Sequence, residues 1–446
     1  AQFLVNSLLD AYGKCELISD ACFLFDEMSV RDHFSWNTIF TACNSAGLPH
    51  TTLNLFRLMI RVSRSQPDHF VFATLVRSCA GLRAAKQGKQ IHAQFLFSRF
   101  RNDDVVKSSL VDMYSKCGLP NLARFVFDSL SVRSNASWTS MIFGYGMNGL
   151  EEEALKLFER KECKDCYFWT GLISGLVQGG NPLMGISMFV KMRREGVEIV
   201  DSMVFSSSLS ACSLLLALEF GKQIHGVLIC SGFSSCLFVS NSLLDMYCKC
   251  GDFSAAKSVF ERINKRNVVS WTCMIVGAAY HGRVEEAMEL YEEMIVNGVK
   301  PNSVTFTGLL SCCSHGGLVR KGKEIFAMIG KENGESPSLE HFTCLVDLVG
   351  RYGDVVEAEG LICEMPLKGD EASWVALLSA CMNHGKQKMA IRVADEVMKR
   401  NGLLASTLLL LSNVYTSCGL SERVEQVRKL MSVLRVTNEP GISFVN

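Results

Sequence analysis

Every tryptophan in this 446-residue chain sits in one small setting: Ser-Trp-Asn at Trp36, Ser-Trp-Thr at Trp138 and Trp271, Phe-Trp-Thr at Trp169, and Ser-Trp-Val at Trp374. The steps between them are 102, 31, 102 and 103 residues. A second marker runs LLDAYGKCEL at 8–17, LVDMYSKCGL at 110–119, LLDMYCKCGD at 243–252 and LVDLVGRYGD at 345–354. Its KC or RY pair ends at 15, 117, 250 and 352, so the same 102 recurs and one added 31 makes the middle step 133. A third marker, GKQIHA at 88–93 and GKQIHG at 221–226, diverges to GKEIFA at 322–327. Three motifs recurring in turn define a tandem array, which sets aside the usual prior of one independent domain per about 150 residues.

Each unit reads as two short helices. After the KC marker, Ala21 with Phe25, Ala123 with Phe127 and Ala256 with Phe260 stand at i, i+4 on one helix face. Gly118, Gly251 and Gly353 follow the preceding helix at its C-terminal cap. A hairpin this small cannot bury its apolar face alone. Neighbours must therefore stack into an all-α solenoid, an architecture whose concave groove suits extended ligands.

Composition narrows the function classes. The chain is 48% apolar and 20% charged, and it has no apolar run long enough to span a bilayer. Its 19 cysteines are about 4% of the chain, below the roughly 8–10% of a disulfide scaffold, which implies free and mostly buried thiols. Lys plus Arg equals Asp plus Glu at 45 each, so any argument for a nucleic-acid partner must be local. The sequence opens on Ala1 in a helical pattern with neither an initiator methionine nor a leader, and the expectation is that a targeting peptide is absent from this chain.

The repeats resemble the pentatricopeptide (PPR) family, in particular its plant PLS type, in which P, L and S motifs alternate. VVSWTCMI to GVKPN, within 268–302, is similar to a P motif; VFSSSLSAC to FGKQIH is similar to an L motif; LFVSNSLLDMYCKCGD is similar to an S motif. The units predicted on that basis are 2–32, 33–68, 69–103, 104–134, 135–165, 166–201, 202–236, 237–267, 268–302, 303–338 and 339–370. The unit at 135–165 supplies the 31-residue step. The stretch at 371–446, with EASWVALLSACMNHG and EPGISFV, is similar to the family's C-terminal E motifs. The resemblance implies a right-handed α-solenoid superhelix with an RNA-binding array at 1–370 and a helical, partner-binding E region at 371–446. A tetratricopeptide array fits less well, because its period is a constant 34 residues.

Signals for chemistry are weak. The family's editing deaminases carry an H-x-E and P-C-x-x-C zinc signature, yet no histidine here is followed by x-E and the single C-x-x-C, Cys163 to Cys166, lacks the proline. Neither that pair, nor Cys312 with Cys313, nor Cys248 with Cys250 has a second ligand pair at suitable spacing. GLVRKGKE at 317–324 mimics a phosphate-binding loop, but Glu324 stands where Ser or Thr is required. The expectation is no catalytic residue, no metal and no cofactor.

The resemblance assigns base reading to the fifth and last residue of each unit, because base identity is displayed as donors and acceptors on the base edge. Carried onto this chain, Asn6 with Asp32 and Asn37 with Asp68 imply uracil. Thr139 with Asp165 and Thr170 with Asp201 imply guanine, Asn241 with Asn267 cytosine, and Thr272 with Asn302 adenine. Ser108 with Ser134 departs from the common pairs. Ala73 with Asp103, Ser206 with Cys236 and Thr307 with Ser338 have no dependable reading, and Thr343 with Asp370 is formally guanine-like. The implied target is U-U-n-(purine)-G-G-n-C-A-n-G. Phe3, Phe34, Tyr167, Phe238 and Val269, second in their units, would stack between bases. Lys14, Lys116, Lys249 and Arg351 would line a phosphate track or simply answer a helix dipole.

The expected partner is single-stranded RNA, with no membrane or DNA partner. The leading expectation is a site-recognition factor for cytidine-to-uridine editing in an organelle, mitochondrion before chloroplast, recruiting a deaminase in trans. RNA splicing or stabilisation is a second reading, and a protein-interaction scaffold the alternative of another class.

Overall fold

The computed structural model describes residues 2–15, 17–62, 67–161, 164–199, 201–332, 336–365, 369–399 and 405–433. Among these residues every regular element is helical, and no helix is long and apolar enough to cross a membrane. The chain divides into two compact units, Ala1–Ser242 and Leu243–Asn446.

In the first unit the helices are α1 (Gln2–Lys14), α2 (Ile18–Glu27), α3 (His33–Ser45), α4 (Pro49–Val62), α5 (His69–Gly81), α6 (Ala85–Leu96), α7 (Asp104–Lys116) and α8 (Pro120–Asp128). They continue with α9 (Asn135–Met147), α10 (Glu151–Glu159), α11 (Cys166–Gln178), α12 (Pro182–Arg194), α13 (Ser202–Leu215) and α14 (Leu218–Cys230). First helices pack on first helices in series, α1 on α3, α3 on α5, and so on to α11 on α13, while each second helix from α2 to α12 lies between its own first helix and the next, and α14 packs on α13.

The helix α15 (Leu237–Lys249) bridges the division in sequence. The second unit then holds α16 (Phe253–Glu261), α17 (Val268–Tyr280), α18 (Val284–Val296), α19 (Ser303–Gly316), α20 (Val319–Glu332), α21 (Leu339–Tyr352) and α22 (Val355–Glu364). Its last helices are α23 (Glu371–Asn383), α24 (Gln387–Met398), α25 (Ala405–Ser417) and α26 (Ser421–Val433). Here α17, α19, α21, α23 and α25 repeat the serial stacking of first helices.

The recurring tryptophan is the joint between successive repeats. The phenylalanine of the Ala-x-x-x-Phe face meets the next unit's indole edge to face: Phe25 with Trp36 at 4.7 Å, Phe127 with Trp138 at 5.2 Å, Phe260 with Trp271 at 4.9 Å. Phe158 and Trp169 do the same at 4.7 Å in the 31-residue unit. Such pairs contribute about 0.5–1.5 kcal/mol beyond the area they bury. Ala21, Ala123 and Ala256 are fully buried beside them, as their spacing predicts. Gly118 and Gly251 adopt φ of +74° and +94°, which a side chain disfavours. Gly353 differs from the expectation for such a cap: it closes α21 with φ −119°, an ordinary backbone angle, so its place in the marker needs no left-handed turn.

Between α9 and α11 the backbones touch. A Cβ on Gly175 would lie 2.7 Å from the Phe143 carbonyl, and one on Gly146 would lie 2.8 Å from the Gly175 carbonyl carbon. Glycine at these places permits an approach that any side chain would block.

None of the eighteen described cysteines is in a disulfide, and among them Cys15, Cys230 and Cys363 are exposed. Among the described residues no group of three or more potential ligands could hold a metal. Cys248 is buried beside Gly277, and burial pushes its thiol up to about 12. Cys163 lies outside the described residues, as does the EPGISFV stretch.

Candidate nucleic-acid interface

The last residue of a unit turns out to be the N-cap of the next first helix. Asp32 accepts from the Ser35 N–H at 2.8 Å, Asp68 from Val71 at 2.8 Å, Asp165 from Phe168 at 3.1 Å and Asp201 from Met203 at 3.0 Å. Ser134, Asn267, Asn302 and Asp370 cap Ser137, Ser270, Thr305 and Ser373 in the same way. Capping alone therefore accounts for Asp, Asn and Ser at these positions. It does not account for the fifth residues, which lie in the second turn of a helix.

Those fifth residues are more enclosed than a groove-facing surface position suggests. Asn6, Thr170, Asn241 and Thr272 are all under 10% exposed. Where first helices stack within a compact unit, as α1 on α3 and α21 on α23, the seam brings the fifth residue close to a cap. The Asn6 amide approaches both Asp32 carboxylate oxygens at 3.4 Å, and the Thr343 hydroxyl reaches Asp370 at 3.4 Å. Although partial burial opposes its charge, the N–H groups of Ser35 and Phe34, the Ser35 hydroxyl and the Asn6 amide hold the Asp32 carboxyl below its ordinary value. Asn37 instead accepts from the Thr74 hydroxyl at 3.4 Å. Ser108, the departure from the common pairs, turns its hydroxyl back to the Asp104 carbonyl at 2.7 Å.

In the first unit an open cleft of about 740 Å³ joins two neighbouring pairs: Thr139, Asp165, Thr170 and Asp201 all line it. Tyr167, Lys116 and Asp112 share the same walls. A comparable cleft of about 700 Å³ in the second unit is lined by Thr343, Asp370, Asp347 and Arg351, with Glu371 and Thr407 from the helices beyond. Each cleft thus combines hydrogen-bonding groups, a cation and apolar wall, the combination a nucleotide requires.

The proposed stacking positions are open to solvent: Phe3, Phe34, Tyr167, Phe238 and Val269 range from 46% to 81% exposed. Phe70, Val105, Met203 and Val304 occupy the same second position and are exposed as well. Sequence reasoning left these four unnamed, although the unit boundaries alone pick them out.

The four repeated cations lie in the last turns of their helices, and each is paired with the aspartate one turn earlier. Lys14 meets Asp10 at 2.6 Å, Lys116 meets Asp112 at 2.8 Å, Lys249 meets Asp245 at 2.9 Å and Arg351 meets Asp347 at 2.7 Å. The D of the LLDMY-type marker is this partner. Exposed pairs of this kind are worth at most about 1 kcal/mol, so a phosphate can compete for the cation.

Stacked helical hairpins of this kind make the chain an all-α helical-repeat solenoid. The PPR repeat profile matches residues 3–33, 34–63, 136–166, 167–197, 238–268, 304–333 and 340–370, and the PPR repeat family profile matches 266–315. The chain belongs to the pentatricopeptide repeat family. One Arabidopsis thaliana relative, a pentatricopeptide repeat-containing protein called mitochondrial, is 35% identical over 446 residues, which cover 99% of this chain and 48% of the relative. Another from that plant is 36% identical over 447 residues, covering 99% of this chain and 68% of its own length. A third, called chloroplastic/mitochondrial, is 34% identical and is covered over 66% of its length. The chain thus spans about two fifths to two thirds of the curated relatives it matches. The solved structure of the pentatricopeptide repeat protein PPR10 in complex with an 18-nt psaJ RNA element aligns at a TM-score of 0.56 and 14% identity, over 96% of this chain and 79% of that one.

Proposed function

We propose that this protein binds single-stranded RNA along its row of first helices, one base per unit, and reads each base with the fifth and last residues. The observation that carries this reading is the cleft in which Thr139, Asp165, Thr170 and Asp201 converge beside Tyr167 and Lys116. Polar pairs at unit spacing, with an exposed aromatic ring between them, match successive bases that are stacked on one face and read on an edge. Membership of the family and the RNA bound to the related solenoid add weight.

Within that role, the resemblance of 371–446 to E motifs favours site recognition for cytidine-to-uridine editing in an organelle, with a deaminase recruited in trans through that region. The organellar labels on two plant relatives support the compartment. Binding is tested with fluorescent U-U-A-A-G-G-A-C-A-A-G against a scrambled RNA of equal composition; equal affinity for the two removes base reading. Editing is tested by sequencing the organellar transcripts of a loss-of-function line, where unchanged editing at every site removes that role and leaves RNA binding standing.

A further inference from the structure

A third side chain joins the reading pair in the units that end at Asp32, Asn302 and Asp370. It is the third residue of the following unit: Ser35, Thr305 and Ser373, each fully buried. The Thr305 hydroxyl donates to Asn302 Oδ1 at 2.9 Å and receives the Asn302 N–H at 3.2 Å. It has one proton, already given, so the 2.7 Å contact with the Thr272 hydroxyl runs from Thr272 to Thr305. Thr272 is left with only lone pairs for a ligand. Asn302, whose Oδ1 also accepts the Thr305 N–H at 3.0 Å, is left with its amide donors. One acceptor beside one donor complements adenine, which offers a donor at N6 and an acceptor at N1.

The other two pairs present different faces. The Ser373 hydroxyl donates to Asp370 Oδ1, and the Thr343 proton is drawn inward by Ser373 at 2.8 Å and the Leu339 carbonyl at 2.9 Å. Thr343 and the second Asp370 oxygen then both present acceptors, matching the N1–H and N2–H donors of guanine. The Ser35 hydroxyl, 2.8 Å from both Asn6 Oδ1 and Asp32 Oδ1, has one proton to give; given to Asn6 Oδ1, it holds the amide oxygen inward and leaves the Asn6 amide nitrogen facing Asp32 at 3.4 Å. An amide donor beside a carboxylate acceptor matches O4 and N3–H of uracil.

We infer that Ser35, Thr305 and Ser373 are specificity-positioning residues, whose hydroxyls fix the donor and acceptor polarity that each fifth-and-last pair shows to its base. This rests on the base-reading function proposed above. Units followed by Phe168 or Val204 lack the device; there the Thr170 hydroxyl bonds its own helix at the Cys166 carbonyl, 3.0 Å away.

The test varies the ninth base of the target RNA among A, G, C and U and measures binding by the unaltered chain, Thr305→Val and Thr305→Ser, with circular dichroism to check folding. Valine keeps the backbone N–H cap from residue 305 to Asn302 and removes only the hydroxyl. An adenine preference of at least about fivefold in the unaltered chain should fall below about twofold in Thr305→Val and persist in Thr305→Ser. A Thr305→Val protein that keeps its adenine preference overturns the inference while leaving base reading intact. An unaltered chain without any preference at that position removes base reading itself, and the inference with it. Should Thr305→Val unfold, Ser373→Ala decides in the same way at the eleventh base, where loss of guanine preference supports the inference and its retention overturns it.

Discussion

Asp32 does two jobs with one carboxylate: it caps α3 through Ser35 and it faces Asn6 across the seam. Its carboxyl is held below the ordinary 3.8, so what its charge contributes is complete above the unfolded value and fades only as pH falls through the lower folded one. Uracil preference at the first unit should accordingly be flat between pH 7 and 5, as binding titrations at fixed ionic strength would show; a loss already at pH 5 would contradict this. The cysteines make a second residue-scale case. Burial holds the Cys43, Cys79, Cys248 and Cys313 thiols near 12, while Cys15, Cys230 and Cys363 lie open. In native protein at pH 8, maleimide followed by peptide mass spectrometry should label the exposed three first and spare the buried four until denaturant is added. The Cys248 and Cys250 pair of LLDMYCKCGD occurs in one of the four copies of that marker. Aligned with its sister repeats, Cys248 takes the place of Gly13 and Ser115. What the sequence could not display is the hydroxyl at Ser35, Thr305 and Ser373. It occurs in only some units and reads as an ordinary capping residue until the seam places it against its neighbour's fifth side chain.

At the scale of the helix, the repeat spacing made the hairpins and their buried Ala-x-x-x-Phe faces legible, since i, i+4 periodicity survives without any tertiary knowledge. The partner of that face was not legible: nothing in a linear pattern says that Phe260 meets Trp271 of the next unit edge to face. Replacing Trp271 with alanine should lower stability by about 3–5 kcal/mol. Urea unfolding monitored by circular dichroism is the check, and a cost under about 1 kcal/mol would count against this joint. Gly146 and Gly175 were equally silent, because a glycine inside a helix reads only as a weak helix former. Their role comes from the contact of α9 with α11. Gly175→Val should destabilise the protein by roughly 1–3 kcal/mol through overpacking against the Phe143 carbonyl, visible as an earlier urea midpoint.

For the molecule as a whole, equal numbers of acidic and basic residues mean that attraction to RNA has to come from placed cations, not from bulk charge. Lys14, Lys116, Lys249 and Arg351 are each held by an aspartate, and a phosphate must displace that partner. With four such contacts the logarithm of affinity should fall with the logarithm of salt at a slope no steeper than about −3. Charge-reversing all four residues should flatten it without changing the order of preferred bases. A steeper slope would place the binding energy outside these cations. If side-chain pairs read base identity, a single exchange should switch it. Binding of the unaltered chain and of Thr272→Asn is measured against target RNAs with adenine or cytosine at the ninth base. The unaltered chain should favour adenine and the variant cytosine, a reversal on the order of 1–3 kcal/mol at that base alone. Identical ranking of the two RNAs by both proteins would contradict it.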